Sequence, residues 1–145
     1  MRYKYLPSFV KRRGRITQSQ EDNLTYLSDY QITNYQEILS AKKDFTKLIL
    51  EIGFGNGENT LSLAKANPDT LYIGSEVYLA GIGYLIGEVI KNDLNNIMVH
   101  SGDIRLLIET IENRKLSIII PSSVYSLILS INLLYSQLGD DVLRQ

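Results

Sequence analysis

Three carboxylates occupy positions from which a chain alternating strand and helix could present them to one ligand. Glu51 opens the run Glu51-Ile52-Gly53-Phe54-Gly55-Asn56-Gly57, Glu76 closes the stretch that begins Leu71-Tyr72-Ile73-Gly74, and Asp103 follows Ile97, Met98 and Val99. Glycine at Gly53, Gly55 and Gly57 frees the backbone for dihedrals that a β-carbon obstructs and lets a ligand lie against the main chain. A dinucleotide-binding loop is the first competitor for such a turn. It needs G-x-G-x-x-G, with the third glycine letting the helix pack on the strand, and here that position is Glu58. A carboxylate there repels a pyrophosphate and suits a ligand that carries positive charge and no phosphate.

S-adenosylmethionine, with an ammonium group and a sulfonium, has that chemistry. Glu76 would accept hydrogen bonds from both ribose hydroxyls, and Asp103 would reach the adenine amino group. A lone acid at a strand end is an ordinary surface carboxylate, and three glycines can simply make a tight strand-to-helix turn. Successive strand ends that each carry an acid, one of them within a glycine-rich turn, form a more specific pattern. The cofactor-binding set is therefore Glu51, Gly53, Gly55, Gly57, Glu76 and Asp103.

The elements that must position these groups follow from apolar spacing. Leu48, Ile49, Leu50 and Ile52 form a short run expected of a buried parallel strand, and the glycine turn follows it. Thr60, Leu61, Leu63, Ala64 and Ala66 then give one helix face, stopped by Pro68 after Asn67. Leu71 to Gly74 predicts a second strand ending near Glu76. Ile82, Leu85, Ile86, Val89 and Ile90 predict a second helix, and Ile97, Met98 and Val99 a third strand. Ile104, Leu106, Leu107, Ile108 and Ile111 predict a third helix, with a fourth strand at Ile118 to Ile120 or Leu127 to Leu129. Ahead of this core, Leu24, Leu27, Tyr30 and Ile32 are spaced as one helix capped by Thr17 or Ser19, and Lys42, Lys43 and Asp44 mark a polar turn. The fold class is α/β, a mostly parallel Rossmann-like sheet with helices on both faces.

With 145 residues, 44% of them hydrophobic, the chain can build one domain and not two. The expected organisation is a basic N-terminal arm and leading helix over 1–45, a cofactor-binding core over 46–120 and a divergent tail over 121–145. A net charge of -1 gives no global field for nucleic acid. Positive charge is local, because Arg2, Lys4, Lys11, Arg12, Arg13 and Arg15 precede the first acidic residue, Glu21. Such a cluster is either a solvated tail or a phosphate-binding arm. There is no cysteine and no apolar leader behind Met1, which makes cytoplasmic the default location. The uncharged stretch from Leu116 to Leu138 is long enough to span a membrane, but Pro121, Asn132, Gln137 and its serines interrupt it, and no membrane partner is expected. His100 is expected to be a partly exposed polar cap on the third strand rather than a base. No metal cluster is visible, and no oligomeric state is implied.

Taken together, Glu51 to Gly57, Gly74-Ser75-Glu76-Val77 and Gly102-Asp103-Ile104 resemble the bacterial tRNA (guanine-N7)-methyltransferase family, and Ser8 to Thr17, S-F-V-K-R-R-G-R-I-T, is similar to the basic segment that precedes its domain. The resemblance runs from about Phe9 to Ile111. It implies a class I methyltransferase fold, S-adenosylmethionine bound by Glu51, Glu76 and Asp103, and tRNA engaged by Lys11, Arg12, Arg13 and Arg15. The family also carries an F-P-D-P-W-like motif at the fourth strand, followed by a basic run. The corresponding region here, Val124 to Gln137, has neither. No catalytic residue is assigned, and a truncated form with weak or no methyl transfer is expected. The alternatives are a non-catalytic remnant that binds S-adenosylmethionine or tRNA, and a product that folds poorly because its sheet is unfinished.

Overall fold

The computed structural model describes residues 14–110 and 117–119. Three helices come first, α1 (Gln18–Leu24), α2 (Leu27–Tyr30) and α3 (Tyr35–Lys42). Strand and helix then alternate through β1 (Lys47–Ile52), α4 (Glu58–Ala66), β2 (Thr70–Glu76), α5 (Leu79–Lys91), β3 (Ile97–Ser101), α6 (Ile104–Ile108) and β4 (Ser117–Ile119). The sheet order is β3-β2-β1-β4 with every pairing parallel. From β1 to β3 the chain steps one way across the sheet, and β4 returns to the other side of β1. The order thus reverses beside β1, and in open α/β sheets ligands bind past the strand carboxyl ends at such a point. This is the Rossmann-like arrangement that the strand and helix spacing predicts. No helix among the described residues is long and apolar enough to cross a membrane.

Both faces of the sheet are covered, which is why its strands read as continuous apolar runs. Leu48, Leu50, Ile52, Leu71 and Ile73 pack with Ile32, Ile38, Ile104, Leu107 and Ile108 on the face that carries α3 and α6. The alternate positions Ile49, Tyr72, Ile97 and Val99 pack with Leu61, Ala64, Ile82, Leu85, Ile86 and Val89 on the face that carries α4 and α5. Burial of each such Leu or Ile contributes about 1.5–3 kcal/mol, so the two faces together dominate the stability. Every predicted strand is present, and β4 takes the first of its two alternatives, pairing Ile118 with Leu50. Ile120, Ile111 and Leu127 to Leu129 lie outside the described residues.

The leading segment departs from the single helix expected. Thr17 caps α1 in a full capping box, its Oγ1 accepting from Gln20 N–H at 3.3 Å and its own N–H donating to Gln20 Oε1 at 2.9 Å. The chain breaks at Thr25 and Tyr26, and Ile32 is not helical at all. Gln31 is extended, Ile32 N–H donates to Val99 O at 2.8 Å, and the Ile32 side chain is buried under the sheet. Helix α3 has one buried residue, Ile38, too little for an apolar periodicity. Its start is set by polar groups instead. Asn34 Oδ1 accepts from Glu37 N–H at 3.1 Å, and Glu37 Oε2 accepts from Thr33 N–H at 2.6 Å, which holds the Glu37 carboxyl below its ordinary value.

Helix α1 lies on α5 over positions without side chains. Asn23 Nδ2 donates to Gly83 O at 3.0 Å. A β-carbon on Gly83 would stand 2.5 Å from Gln20 O, and one on Gly87 2.1 Å from Asn23 Nδ2. The obstacle is main chain in the first case and the end of a flexible side chain in the second. Gly83→Ala is expected to destabilise by about 1–3 kcal/mol, because α1 must move. Gly87→Ala should be near neutral, since about 1 kcal/mol of gained helix propensity offsets the displacement of Asn23. Urea denaturation of the two variants checks this, and equal midpoints would show that α1 does not depend on the close approach.

Candidate functional site

Between β1 and α4 the chain turns through three left-handed glycines, Gly53 at φ 73, Gly55 at φ 63 and Gly57 at φ 78. These are the dihedrals that side chains resist, so the alternation of glycine in the sequence has its cause in the backbone. The turn is also pinned. Gly53 N–H donates to Ser75 O at 2.7 Å, Gly57 N–H to Phe54 O at 2.9 Å and Gly55 N–H to Glu76 Oε2 at 2.8 Å. A β-carbon on Gly57 would meet Leu85 Cδ1 at 2.8 Å. Gly57 therefore performs the helix-packing task that a dinucleotide loop gives to its third glycine, and Glu58 is left exposed in the first turn of α4.

The three acids end adjacent strands but meet different surroundings. Glu51 is buried at 3% exposure, Oε2 accepting from Thr60 Oγ1 and Oε1 from Asn59 Nδ2 at 3.2 Å. Thr60, expected as part of an apolar helix face, is buried for this polar reason. Glu51 pairs in register with Gly74, so Glu76, two residues on, shares its face of the sheet. Phe54 lies between these levels on Gly74, where a β-carbon would be 2.6 Å from Phe54 Cδ1. Glu76 is half-buried, and its Oε1 accepts from Val77 N–H at 2.7 Å and Tyr78 N–H at 3.1 Å while Oε2 holds Gly55. Its carboxylate is thus a clasp between the glycine turn and the start of α5.

Asp103 lies beyond the end of β3, two residues past Ser101, the register partner of Glu76. It caps α6, Oδ1 accepting from Arg105 N–H at 3.1 Å, and it forms an ion pair with Arg105, Nη2 to Oδ2 at 2.6 Å. The structure thus places Glu51, the glycine turn and Glu76 together, with Asp103 one strand further along the same edge. Of the basic residues singled out, Arg15 is exposed, while Lys11, Arg12 and Arg13 lie outside the described residues. Gly14 is exposed and lies close to Tyr78, its β-carbon position 2.4 Å from the phenol oxygen, so Arg15 follows a residue near the start of α5.

His100 corrects an expectation. It is buried at 6% exposure, with Nδ1 2.9 Å from Ile32 O and Nε2 3.3 Å from Asp103 O, because the segment through Ile32 covers its strand. Residues not anticipated are Asn59, Tyr78, Arg105 and Gly81, where a β-carbon would stand 2.0 Å from Gly55 O. A glycine within a helix costs about 1 kcal/mol relative to alanine, and that cost was the signal available for Gly81. Among the described residues no group of His, Asp and Glu side chains is placed to hold a metal ion.

The Glu51 hydrogen bonds yield a stability test. Thr60→Val leaves a buried carboxylate oxygen without its hydroxyl donor and should cost about 1–3 kcal/mol, whereas Thr60→Ser retains the donor and should cost less than half as much. Chemical denaturation of both variants decides it, and equal losses would show that the hydroxyl is not what matters.

Comparison with known proteins fits this geometry. Residues 46–121 match the family described as "Putative methyltransferase". The chain is 34% identical over 105 residues to a tRNA (guanine-N(7)-)-methyltransferase of Neorickettsia sennetsu, an alignment covering 72% of this chain and 46% of that protein. It is 41% identical over 102 residues to the protein of the same name from Nitrosococcus oceani, covering 68% of this chain and 43% of the relative. The chain therefore spans just under half the length of these curated relatives. A solved structure of an antibiotic-related methyltransferase superposes with a TM-score of 0.56 at 21% identity, covering 71% of this chain and 56% of the other. That likeness concerns the fold alone. The family match begins one residue before β1, ends two residues past β4 and takes in the whole described sheet, and on that extent the chain belongs to this methyltransferase family.

Proposed function

We propose that this chain binds S-adenosylmethionine over the glycine turn and the carboxyl ends of β1, β2 and β3, and serves methyl transfer to N7 of a guanine in tRNA. The observation that carries the cofactor is the turn itself, with three left-handed glycines tied to an acid at the neighbouring strand end. Names of the curated relatives support the tRNA substrate.

In this reading the residues divide the ligand between them. Glu76 accepts the ribose hydroxyls, using the lone-pair capacity that Gly55, Val77 and Tyr78 leave or exchanging the Gly55 N–H for a hydroxyl. Gly53, Gly55 and Gly57 let the ligand lie against main chain. Glu51 places negative charge beneath the turn, complementary to an ammonium and a sulfonium, and orients the first turn of α4 through Asn59 and Thr60. Asp103 faces the adenine amino group. When bound, S-adenosylmethionine supplies an electrophilic methyl group that a guanine ring nitrogen accepts without losing a proton. The protein's task is then positioning and charge complementarity more than base catalysis. Lys11, Arg12, Arg13 and Arg15 supply phosphate contacts.

Isothermal titration with S-adenosylhomocysteine, paired with a methyl-transfer assay on unmodified tRNA, tests both halves. Saturable binding is the expected result, with transfer weak because the region Val124 to Gln137 lacks the family's fourth-strand motif. Binding without transfer would leave a cofactor-binding module and remove the enzymatic claim, and no binding would remove the cofactor claim as well. Glu76→Ala should weaken S-adenosylhomocysteine by at least about tenfold, the equivalent of about 1.4 kcal/mol. Replacing Lys11, Arg12 and Arg13 with alanine should weaken tRNA, flatten its salt dependence and leave S-adenosylhomocysteine unaffected.

A further inference from the structure

Arg105 is an unusual residue for its place. It belongs to α6, whose other buried residues are Ile104, Leu107 and Ile108, and it is itself only 8% exposed. Burying a guanidinium is costly unless its charge and donors are met, and among the described contacts here they meet Asp103. Arg105 Nε lies 3.1 Å from Asp103 Oδ1 and 3.3 Å from Oδ2, and Nη2 lies 2.6 Å from Oδ2. The Arg105 backbone N–H adds a bond to Oδ1 at 3.1 Å. On the main-chain side, His100 Nε2 stands 3.3 Å from Asp103 O. Carboxylate and backbone are both held, and each side chain of the pair keeps 10% of its surface in reach of solvent.

We propose that Arg105 sets the nucleobase preference of the site by fixing Asp103 as an acceptor that cannot turn into a donor. This rests on the reading that an adenosyl group lies over the strand ends. A carboxylate bonded through a guanidinium fork offers lone pairs and no proton. A purine with an amino group at its six-position donates to such an edge. A purine with a carbonyl there brings a second acceptor against the first, and the unmet pair costs binding. Without the guanidinium, Oδ2 loses its bonds from Nε and Nη2 and is able to carry a proton toward a carbonyl, while Oδ1 keeps the backbone cap. Arg105 is thus a positioning residue that acts on the ligand through Asp103.

The test uses the full chain and two probes that differ at the six-position and in the proton the lactam carries on N1, S-adenosylhomocysteine and S-inosylhomocysteine. Titration of the wild-type protein should favour the adenosyl probe by about 100-fold or more, because the site is built around a donor. In Arg105→Gln the ratio should fall to within about tenfold, the adenosyl probe weakening and the inosyl probe gaining. Arg105→Lys keeps a positive charge beside Asp103 but not the fork, so it should fold even where the glutamine variant does not, with a ratio between the two. Circular dichroism verifies the fold of each variant. Both probes weakening by one common factor, or an unchanged ratio in a folded variant, would reduce Arg105 to a purely structural role and overturn the proposal. Wild-type protein that binds neither probe would overturn the adenosyl reading together with it, whereas tight adenosyl binding with an unaltered ratio in the variants would sink the Arg105 role alone.

Discussion

The glycine turn holds its shape because groups on β2 and α5 close around it. Gly53 N–H is bound by Ser75 O and Gly55 N–H by the Glu76 carboxylate, while Gly81 in α5 has no side chain to push Gly55 O away. The constraint propagates in both directions. The parallel register of β1 on β2 is what brings Ser75 and Glu76 level with the turn, and the first residues after β2 are set by donating to the same carboxylate. A left-handed residue costs little at glycine and about 1–2 kcal/mol elsewhere, so glycine at all three positions lets the turn form and its neighbours then select one shape for it. Shifting any one of β1, β2 or α5 would disturb the other two.

The acids are consequently not equivalent. Glu51 is committed to the interior, where it joins the end of β1 to the first turn of α4. Glu76 is committed to backbone amides and remains partly accessible. Asp103 belongs to an ion pair with Arg105 and to the cap of α6. Each is held by hydrogen-bond partners of its own. Strand, turn and acid form one unit at β1 and β2, whereas at β3 the acid is held by the following helix.

Much of this was legible in the residues. Buried parallel strands announce themselves as apolar runs, and β1, β2 and β3 do so at Leu48, Leu71 and Ile97. Helices α4 and α5 show their apolar spacing, and the glycines of the turn could be read from the dihedrals they permit. What stayed hidden depends on tertiary partners. Ile32 continues a helical spacing, yet its N–H finds Val99 O, and no local pattern encodes that partner. Helix α3 buries only Ile38, and its signal lay in the polar pair Asn34 and Glu37. Both faces of the sheet are apolar, so the sequence had no means of showing that Glu51 points toward Thr60. The closeness of Asp103 and Arg105 was visible as a spacing of two residues, but its meaning required knowing that both are covered.

Two leading helices and the extended residues after them wrap the β3 side of the sheet. Gln31 forms a parallel bridge to Val99, and Ile32 N–H donates to Val99 O. An outermost strand that already shares its main-chain groups with a short crossing segment is a poor template for strand addition. Among the described strands, β4 forms the opposite border. Sideways pairing with a further strand is therefore obstructed at β3, where the leading segment already occupies Val99.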